Sequence, residues 1–372
     1  MDILQLEKNK WHGNISTLEE LKKYIKLTPL EEKELEEVVK IHPMLISKYY
    51  LSLINRRDKN DPIKKMIVPS REEINASGTY DTSGEYENTK MPGLQHKYPQ
   101  TALILTTNRC AAYCRHCFRK RLVGLPSSEI MRRFDKAIAY IKKHKEINNV
   151  LLSGGDSFML PTKVLEQFLK KLTPIKHLDF VRFGTRTPVT FPYRIVHDPS
   201  LIRLLKKYSI PGRRVNVVTH FNHPHEITSQ SKKAINMLLE ANVRIFNQTV
   251  LLKGVNDNPK ILVDLFSQII KMDILPYYVF QCRPVKRVKH HFQVPLFRGL
   301  KIFEEAKQNI GGHIICKRLK YIMSHRTGKI EIVGIIGDRM YFKYHHAKDP
   351  KNKGKLFSKK LDKKAGWLDD LK

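Results

Sequence analysis

The sequence predicts an α/β fold: a partial (β/α)6 TIM-like barrel with an N-terminal helical region before it and a C-terminal extension after it. Two observations predict the barrel. Six short β-branched runs follow one another along the middle of the chain, and each is followed by a segment of helical periodicity. Repeated β-then-α units imply a parallel sheet with right-handed crossovers. A third observation concerns function: the chemistry-bearing residues cluster directly after the runs, where the carboxyl ends of barrel strands gather.

Residues 1 to about 75 read as a small helical region. Ser16-Thr-Leu-Glu19, Thr28-Pro29-Leu-Glu31 and Ser70-Arg-Glu-Glu73 each set a hydroxyl three residues ahead of a Glu, the capping-box pattern, and Pro29 fits a first helical turn. From Ile74 to Gln95 the chain is rich in Asn, Ser, Gly and Thr and reads as a long connection. The predicted strands are Thr101–Thr106, Asn149–Ser153, Phe180–Thr185, Val215–His220, Arg244–Leu252 and Pro276–Cys282. Asp198-Pro199 and Asn258-Pro259 supply an N-cap and first turn to two of the intervening helices. After the second, Leu262, Leu265, Phe266, Ile269 and Ile270 recur at helical spacing. These readings divide the chain into 1–95, 96–310 and 311–372, the last holding a lysine-rich tail.

With 372 residues the chain has room for one large core plus appendages. Five cysteines, three of them in one run, do not make a disulfide framework, which argues for a reducing compartment. The N-terminus lacks the charged-then-apolar order of a signal peptide, and no stretch approaches the ~20 apolar residues of a membrane span. The expectation is a soluble, cytoplasmic protein. A formal charge of +32, from 68 basic and 36 acidic residues, would attract polyanions non-specifically or dress a solvated surface.

The run Cys110-Ala-Ala-Tyr-Cys114-Arg-His-Cys117 offers three thiolates at i, i+4 and i+7. Clusters that only carry electrons normally take four cysteines, so three leave one iron open to bind something else. A zinc site would need a fourth partner at a familiar offset, and this is not a zinc spacing. The spacing resembles the signature of radical SAM enzymes, in which S-adenosylmethionine chelates the open iron of a [4Fe-4S] cluster. Cys282 and Cys316 remain outside the motif, and Cys316 reads as a buried small hydrophobe.

The resemblance then becomes narrower. Tyr113-Cys114-Arg115-His116-Cys117, Leu151-Leu-Ser153-Gly154-Gly155-Asp156, Arg186-Thr187-Pro188-Val189, Thr219-His220-Phe221-Asn222-His223-Pro224 and Asn247-Gln248 through Gly254-Val-Asn256-Asp257 are similar, in order and separation, to the lysine 2,3-aminomutase family. The match covers about residues 91 to 335. It implies a 2,3-migration of an amino group in a small-molecule amino acid, started by a 5′-deoxyadenosyl radical. The implied cofactors are the cluster, S-adenosylmethionine and pyridoxal phosphate. It also implies an electron donor such as flavodoxin or ferredoxin, and leaves homo-oligomerisation open.

The resemblance assigns residues as well. Ser153, Gly154, Gly155 and Asp156 fall in the segment that approaches the amino-acid part of S-adenosylmethionine; backbone without side chains permits that approach. His220 and Gln248 match positions that bond the nucleoside and carboxylate. Lys329, after Gly328, matches the lysine that forms a Schiff base with pyridoxal phosphate, a role that needs an ammonium that loses its proton readily. Lys97 and Tyr98 match the segment that contacts the cofactor phosphate, with Lys97 in place of an arginine and so without its bidentate fork. Arg119 matches the residue that grips the substrate carboxylate.

Two departures bear on the substrate. Where lysine aminomutases place aspartates to hold the distal ammonium, this chain has Arg283 and Ile322. A cation and a hydrocarbon cannot hold an ammonium, so the expectation is a substrate other than L-lysine, with glutamate one candidate. The family's C-terminal cysteine-bound zinc site is missing, since no cysteine follows Cys316. Two other readings stay open: a radical SAM enzyme that modifies RNA, supported by the charge and the lysine tail, and a non-catalytic iron–sulfur or S-adenosylmethionine sensor.

Overall fold

A computed structural model describes residues 13–311 and 318–372. The first described segment pairs β1 (Asn14–Ile15) with β2 (Ile46–Ser47), antiparallel, around the helices Leu18–Lys22 and Pro29–Ile41. Thr28 caps the second helix with Glu31 as expected. The first is capped one residue later than the sequence suggests: Thr17 and Glu20 form the box, and the Ser16 amide also bonds the Glu20 carboxylate at 2.8 Å. The adjacent acids Glu19 and Glu20 made either frame readable, and the Glu20 carboxylate, reached by both amides, decides it.

Twelve further strands form one sheet in an order that follows the chain. They are β3 (Thr89–Met91), β4 (Leu94–Tyr98), β5 (Thr101–Thr107), β6 (Asn149–Gly154), β7 (Phe180–Gly184), β8 (Asn216–Thr219), β9 (Arg244–Leu251), β10 (Leu275–Gln281), β11 (Tyr321–His325), β12 (Gly328–Ile336), β13 (Arg339–Ala347) and β14 (Leu356–Lys360). From β5 through β11 every neighbouring pair is parallel. The remaining pairs at both edges are antiparallel. Among the described residues β3 and β14 do not pair with each other, so the barrel is partial.

The helices Phe134–Lys143, Thr162–Leu172, Pro199–Tyr208, Ser229–Glu240, Pro259–Lys271 and Leu296–Asn309 follow β5 to β10 in turn, which makes the six expected units. Asp198 and Asn258 cap two of them from the side chain, the first accepting from Ser200 and Leu201 amides and the second from Lys260. Strand residues alternate in facing. Val150, Leu152, Val181, Phe183, Val217 and Ile245 are buried in the core with Leu165, Leu201, Ile235 and Leu265 of the helices. The intervening residues, among them Leu151, Arg182 and Gln248, are half-buried on the concave face. That face is the lumen, and the site lies at its rim and wall.

The sequence reading missed both antiparallel edges. The supposed connection from Ile74 to Gln95 contains β3 and the start of β4, and the C-terminal segment contributes a seventh parallel strand and three antiparallel ones. Among the described residues no helix is long and apolar enough to cross a membrane.

Candidate active site

The three cysteines occupy the loop after β5, and the loop is held from outside the barrel. The Tyr113 amide bonds the Leu45 carbonyl and the Arg115 amide bonds the Met66 carbonyl, both at 2.8 Å. Arg115 donates two parallel bonds to Glu73, at 2.8 and 2.7 Å, and Lys120 donates a third at 2.5 Å. Glu73 is fully buried. Burial alone would raise its pKa, but Arg115 and Lys120 outweigh that and bring it to about 2. The acid expected only to cap Ser70 therefore also clamps the second half of the cysteine loop, between Cys114 and the residues just after Cys117.

The donor set suits iron. Burial, Asp156 and the other two sulfurs push the Cys110 thiol well above its ordinary value, and burial and Cys114 push Cys117 to about 11. Cys110 and Cys117 resist ionising unless a strongly positive centre accepts them, and soft thiolates are the ligands an iron–sulfur cluster takes. Arg186 approaches the same group: it donates to Cys114 Sγ at 2.7 Å and to Tyr50 Oη at 2.9 Å, and pairs with the buried Glu226.

Ser153-Gly154-Gly155 ends β6 beside this loop. A Cβ on Gly154 would meet the Thr107 carbonyl oxygen at 2.3 Å, and one on Gly155 the Arg109 carbonyl oxygen at the same distance. The glycines are thus required by the backbone entering the cysteine loop, to which the Gly155 and Asp156 amides bond at 2.6 and 2.8 Å. Asp156 braces the strand ends. Its carboxylate accepts from Thr185 Oγ1, the Phe158 amide and the Arg186 amide at 2.5, 3.0 and 2.7 Å.

Arg119 links this loop to a wall that sequence reading left out. Its Nη1 donates to Ser153 Oγ and the Gly154 carbonyl at 3.1 and 3.3 Å, while Nε faces Glu85 at 3.3 Å. Glu85 also pairs with Arg121 at 2.8 Å and is buried. Burial opposes its ionisation, but Arg119, Arg121 and Arg283 keep its pKa below the ordinary value. Phe118 carries two guanidiniums on its ring, Arg119 at 4.5 Å and Arg283 at 4.2 Å from the centroid. Arg283 is fixed in plane by Ser83 Oγ and Ser324 Oγ, both accepting at 3.0 Å. Ile322 is buried on β11.

Lys329 is the second residue of β12, in register with Ser324 and His346. A Cβ on Gly328 would meet the His346 carbonyl oxygen at 2.1 Å, so the preceding glycine lets β13 close on the lysine. The Lys329 ammonium lies over the Tyr278 ring at 4.9 Å from the centroid, with no hydrogen bond among the described residues. Burial, then Arg182 and Arg283, pull its pKa to about 7. The Tyr98 hydroxyl is buried without a partner among the described residues, and its ring lies 5.5 Å from that of His346. A lysine short of donors' partners and an orphaned phenol fit a bound aldehyde-bearing group. Lys97 spends two of its three donors on the Ser83 and His325 carbonyls, at 3.0 and 2.5 Å, leaving one for a phosphate.

His220 lies past the end of β8 and hydrogen-bonds Gln248 of β9; burial and Arg186 hold its pKa near 4, so the imidazole is neutral. Cys282 is buried in the core with its thiol pushed up to about 12, a structural residue. Cys316 lies outside the described residues. The residues that sequence reasoning missed are Glu73 as clamp, Glu85, Phe118, Ser83, Ser324 and Arg186 with Glu226.

The Radical SAM superfamily model matches residues 104–266, from β5 into the helix after β9. L-lysine 2,3-aminomutase of Clostridium subterminale is 40% identical over 321 residues, 84% of this chain and 76% of its own. L-lysine 2,3-aminomutase of Acetoanaerobium sticklandii is 40% identical over 311 residues, 82% of this chain and 73% of its own. Glutamate 2,3-aminomutase of Clostridioides difficile is 38% identical over 310 residues, again 82% of this chain and 72% of its own.

Proposed function

Because the chain belongs to the lysine 2,3-aminomutase family of radical SAM enzymes, we propose that it shifts an amino group between C2 and C3 of an amino acid with an acidic side chain. The observation that carries this reading is one continuous run of contacts. It passes from the cysteine loop through Ser153 and Gly154 to Arg119, across Phe118 to Arg283, and on to the electrostatic neighbourhood of Lys329.

When bound, the cluster with S-adenosylmethionine supplies one-electron chemistry and pyridoxal phosphate supplies an electron-withdrawing ring. The chain supplies holding, orientation and proton state. Cys110, Cys114 and Cys117 take the cluster. Lys329 offers a neutral amine near pH 7, which only the unprotonated form can use as a nucleophile. Arg119 presents its guanidinium to the substrate carboxylate while Glu85 and Ser153 fix its plane. The Tyr278 ring lies against the Lys329 ammonium, and the Tyr98 ring packs on His346, which pairs with Lys329 across the sheet.

Arg283 supports the substrate class. It acts on Arg119 and, together with Arg182, on Lys329, and a distal ammonium placed among these three guanidiniums is repelled, whereas a carboxylate is drawn in. The aminomutase reading is tested by adding pyridoxal phosphate anaerobically to cluster-loaded protein and reducing with borohydride. A stable adduct on the wild type that is absent in Lys329→Ala is the expected outcome. An intact cluster with no adduct would remove the pyridoxal phosphate role and favour the RNA or sensor reading.

A further inference from the structure

His96 alternates with Lys97 on β4 and so points to the opposite face of the sheet from the lumen. There it meets Tyr140 and His144 at the end of the helix Phe134–Lys143, with ring centroids 5.8 and 5.6 Å away. One ligand atom each from His96, His144 and Glu146 lies within 4.8 Å of the other two. None of these residues takes part in the site described above.

The partners settle which nitrogens carry protons. His96 Nε2 faces the Pro99 carbonyl oxygen at 3.0 Å, and a carbonyl only accepts, so Nε2 carries the hydrogen and Nδ1 the lone pair. Tyr140 Oη lies 3.0 Å from that Nδ1 and donates to it. His144 Nδ1 faces Glu146 Oε1 at 2.8 Å; the carboxylate also only accepts, so His144 keeps its lone pair on Nε2. Hydrogen bonds from its own backbone and from His144 keep the Glu146 pKa below its ordinary value. Each imidazole thus has one nitrogen pinned by an oxygen and the other basic. This is the arrangement by which outer partners orient metal-bound histidines.

We propose that His96 and His144, with Glu146 as their carboxylate, form a binding site for a borderline divalent transition metal such as Zn²⁺ or Ni²⁺. The two imidazoles are the ligands, with Glu146 held behind His144 as its outer partner, and zinc accepts such nitrogen donors while Mg²⁺ and Ca²⁺ are disfavoured by them. Tyr140, stacked on His144 at 4.0 Å between centroids, holds the two rings in place until the metal replaces its hydroxyl at His96. The bound ion would pin β4 to the helix on its outer side, directly behind Lys97 and Tyr98.

The test is calorimetric titration of cluster-loaded protein with Zn²⁺, the cluster being in place so that the three cysteine thiolates are already taken. The expected result is one equivalent bound by the wild type, lost in His144→Ala and weakened about 10- to 100-fold in Glu146→Gln. The borohydride adduct at Lys329 should persist in both variants, which shows that each is folded. Glu146 is exposed, so its variant stands even where the His144 change perturbs the helix end. Absence of zinc binding by the wild type, or wild-type affinity retained in His144→Ala, would overturn the proposal.

Discussion

At the scale of single residues, Lys329 and Glu73 show opposite uses of burial. Lys329 has cations for neighbours, so burial and charge act together and its ammonium gives up a proton near pH 7. The rate of adduct formation with pyridoxal phosphate should therefore rise with pH and level off above about 7, not near 10. Removing a neighbouring cation, as in Arg182→Ala, should move that midpoint upward by less than about one unit, read from the absorbance change across a pH series. Glu73 has two cations as partners, and they overcome burial. Its folded pKa of about 2 lies below the ordinary 4.5, so its contribution to stability is full above 4.5 and is lost as pH falls toward 2. Glu73→Ala would leave Arg115 and Lys120 buried without a counterion. It should cost on the order of 3–5 kcal/mol by denaturant unfolding and flatten the acid limb of the stability curve.

At the scale of elements, the legible parts were those whose signal is local. Thr28 with Glu31, Asp198-Pro199 and Asn258-Pro259 announced their helices, and the six β-branched runs lie within one or two residues of β5 to β10. The antiparallel edges carried signals that composition hid. Pro92-Gly93 turns β3 into β4 inside a stretch that reads as linker. Gly337-Asp338 is a two-residue hairpin loop between β12 and β13, with Gly337 at φ 58°. Within the site, the cysteines, Arg119, Arg283 and Lys329 were legible because motif order marks them. Glu85 and Ser83 were not, because their partners come from elements far away in sequence: Glu85 meets Arg119 and Arg121, and Ser83 meets Arg283 and Lys97. Asp156 follows the two glycines, and its carboxylate ties the end of β6 to Thr185 and Arg186 after β7, a partnership from a segment distant in sequence.

At the scale of the whole molecule, an open barrel leaves a concave wall whose two ends do different work. The loop after β5 carries thiols, and the β11–β13 edge carries the lysine, with arginines lining the path between them. The charge on that path decides what can enter. Two acids, Glu85 and Asp81, face Arg119, Arg121, Arg283 and Lys97 there, with Glu129 paired to Arg121 at the solvent side. The most direct test of the account gives the reconstituted enzyme, under reducing anaerobic conditions, ¹³C-labelled L-glutamate or L-lysine and follows the carbon spectrum for a β-amino acid. The predicted result is formation of β-glutamate, abolished by Lys329→Ala and strongly reduced by Arg283→Ala, with little or no β-lysine. Rapid conversion of L-lysine with Arg283 intact would contradict it.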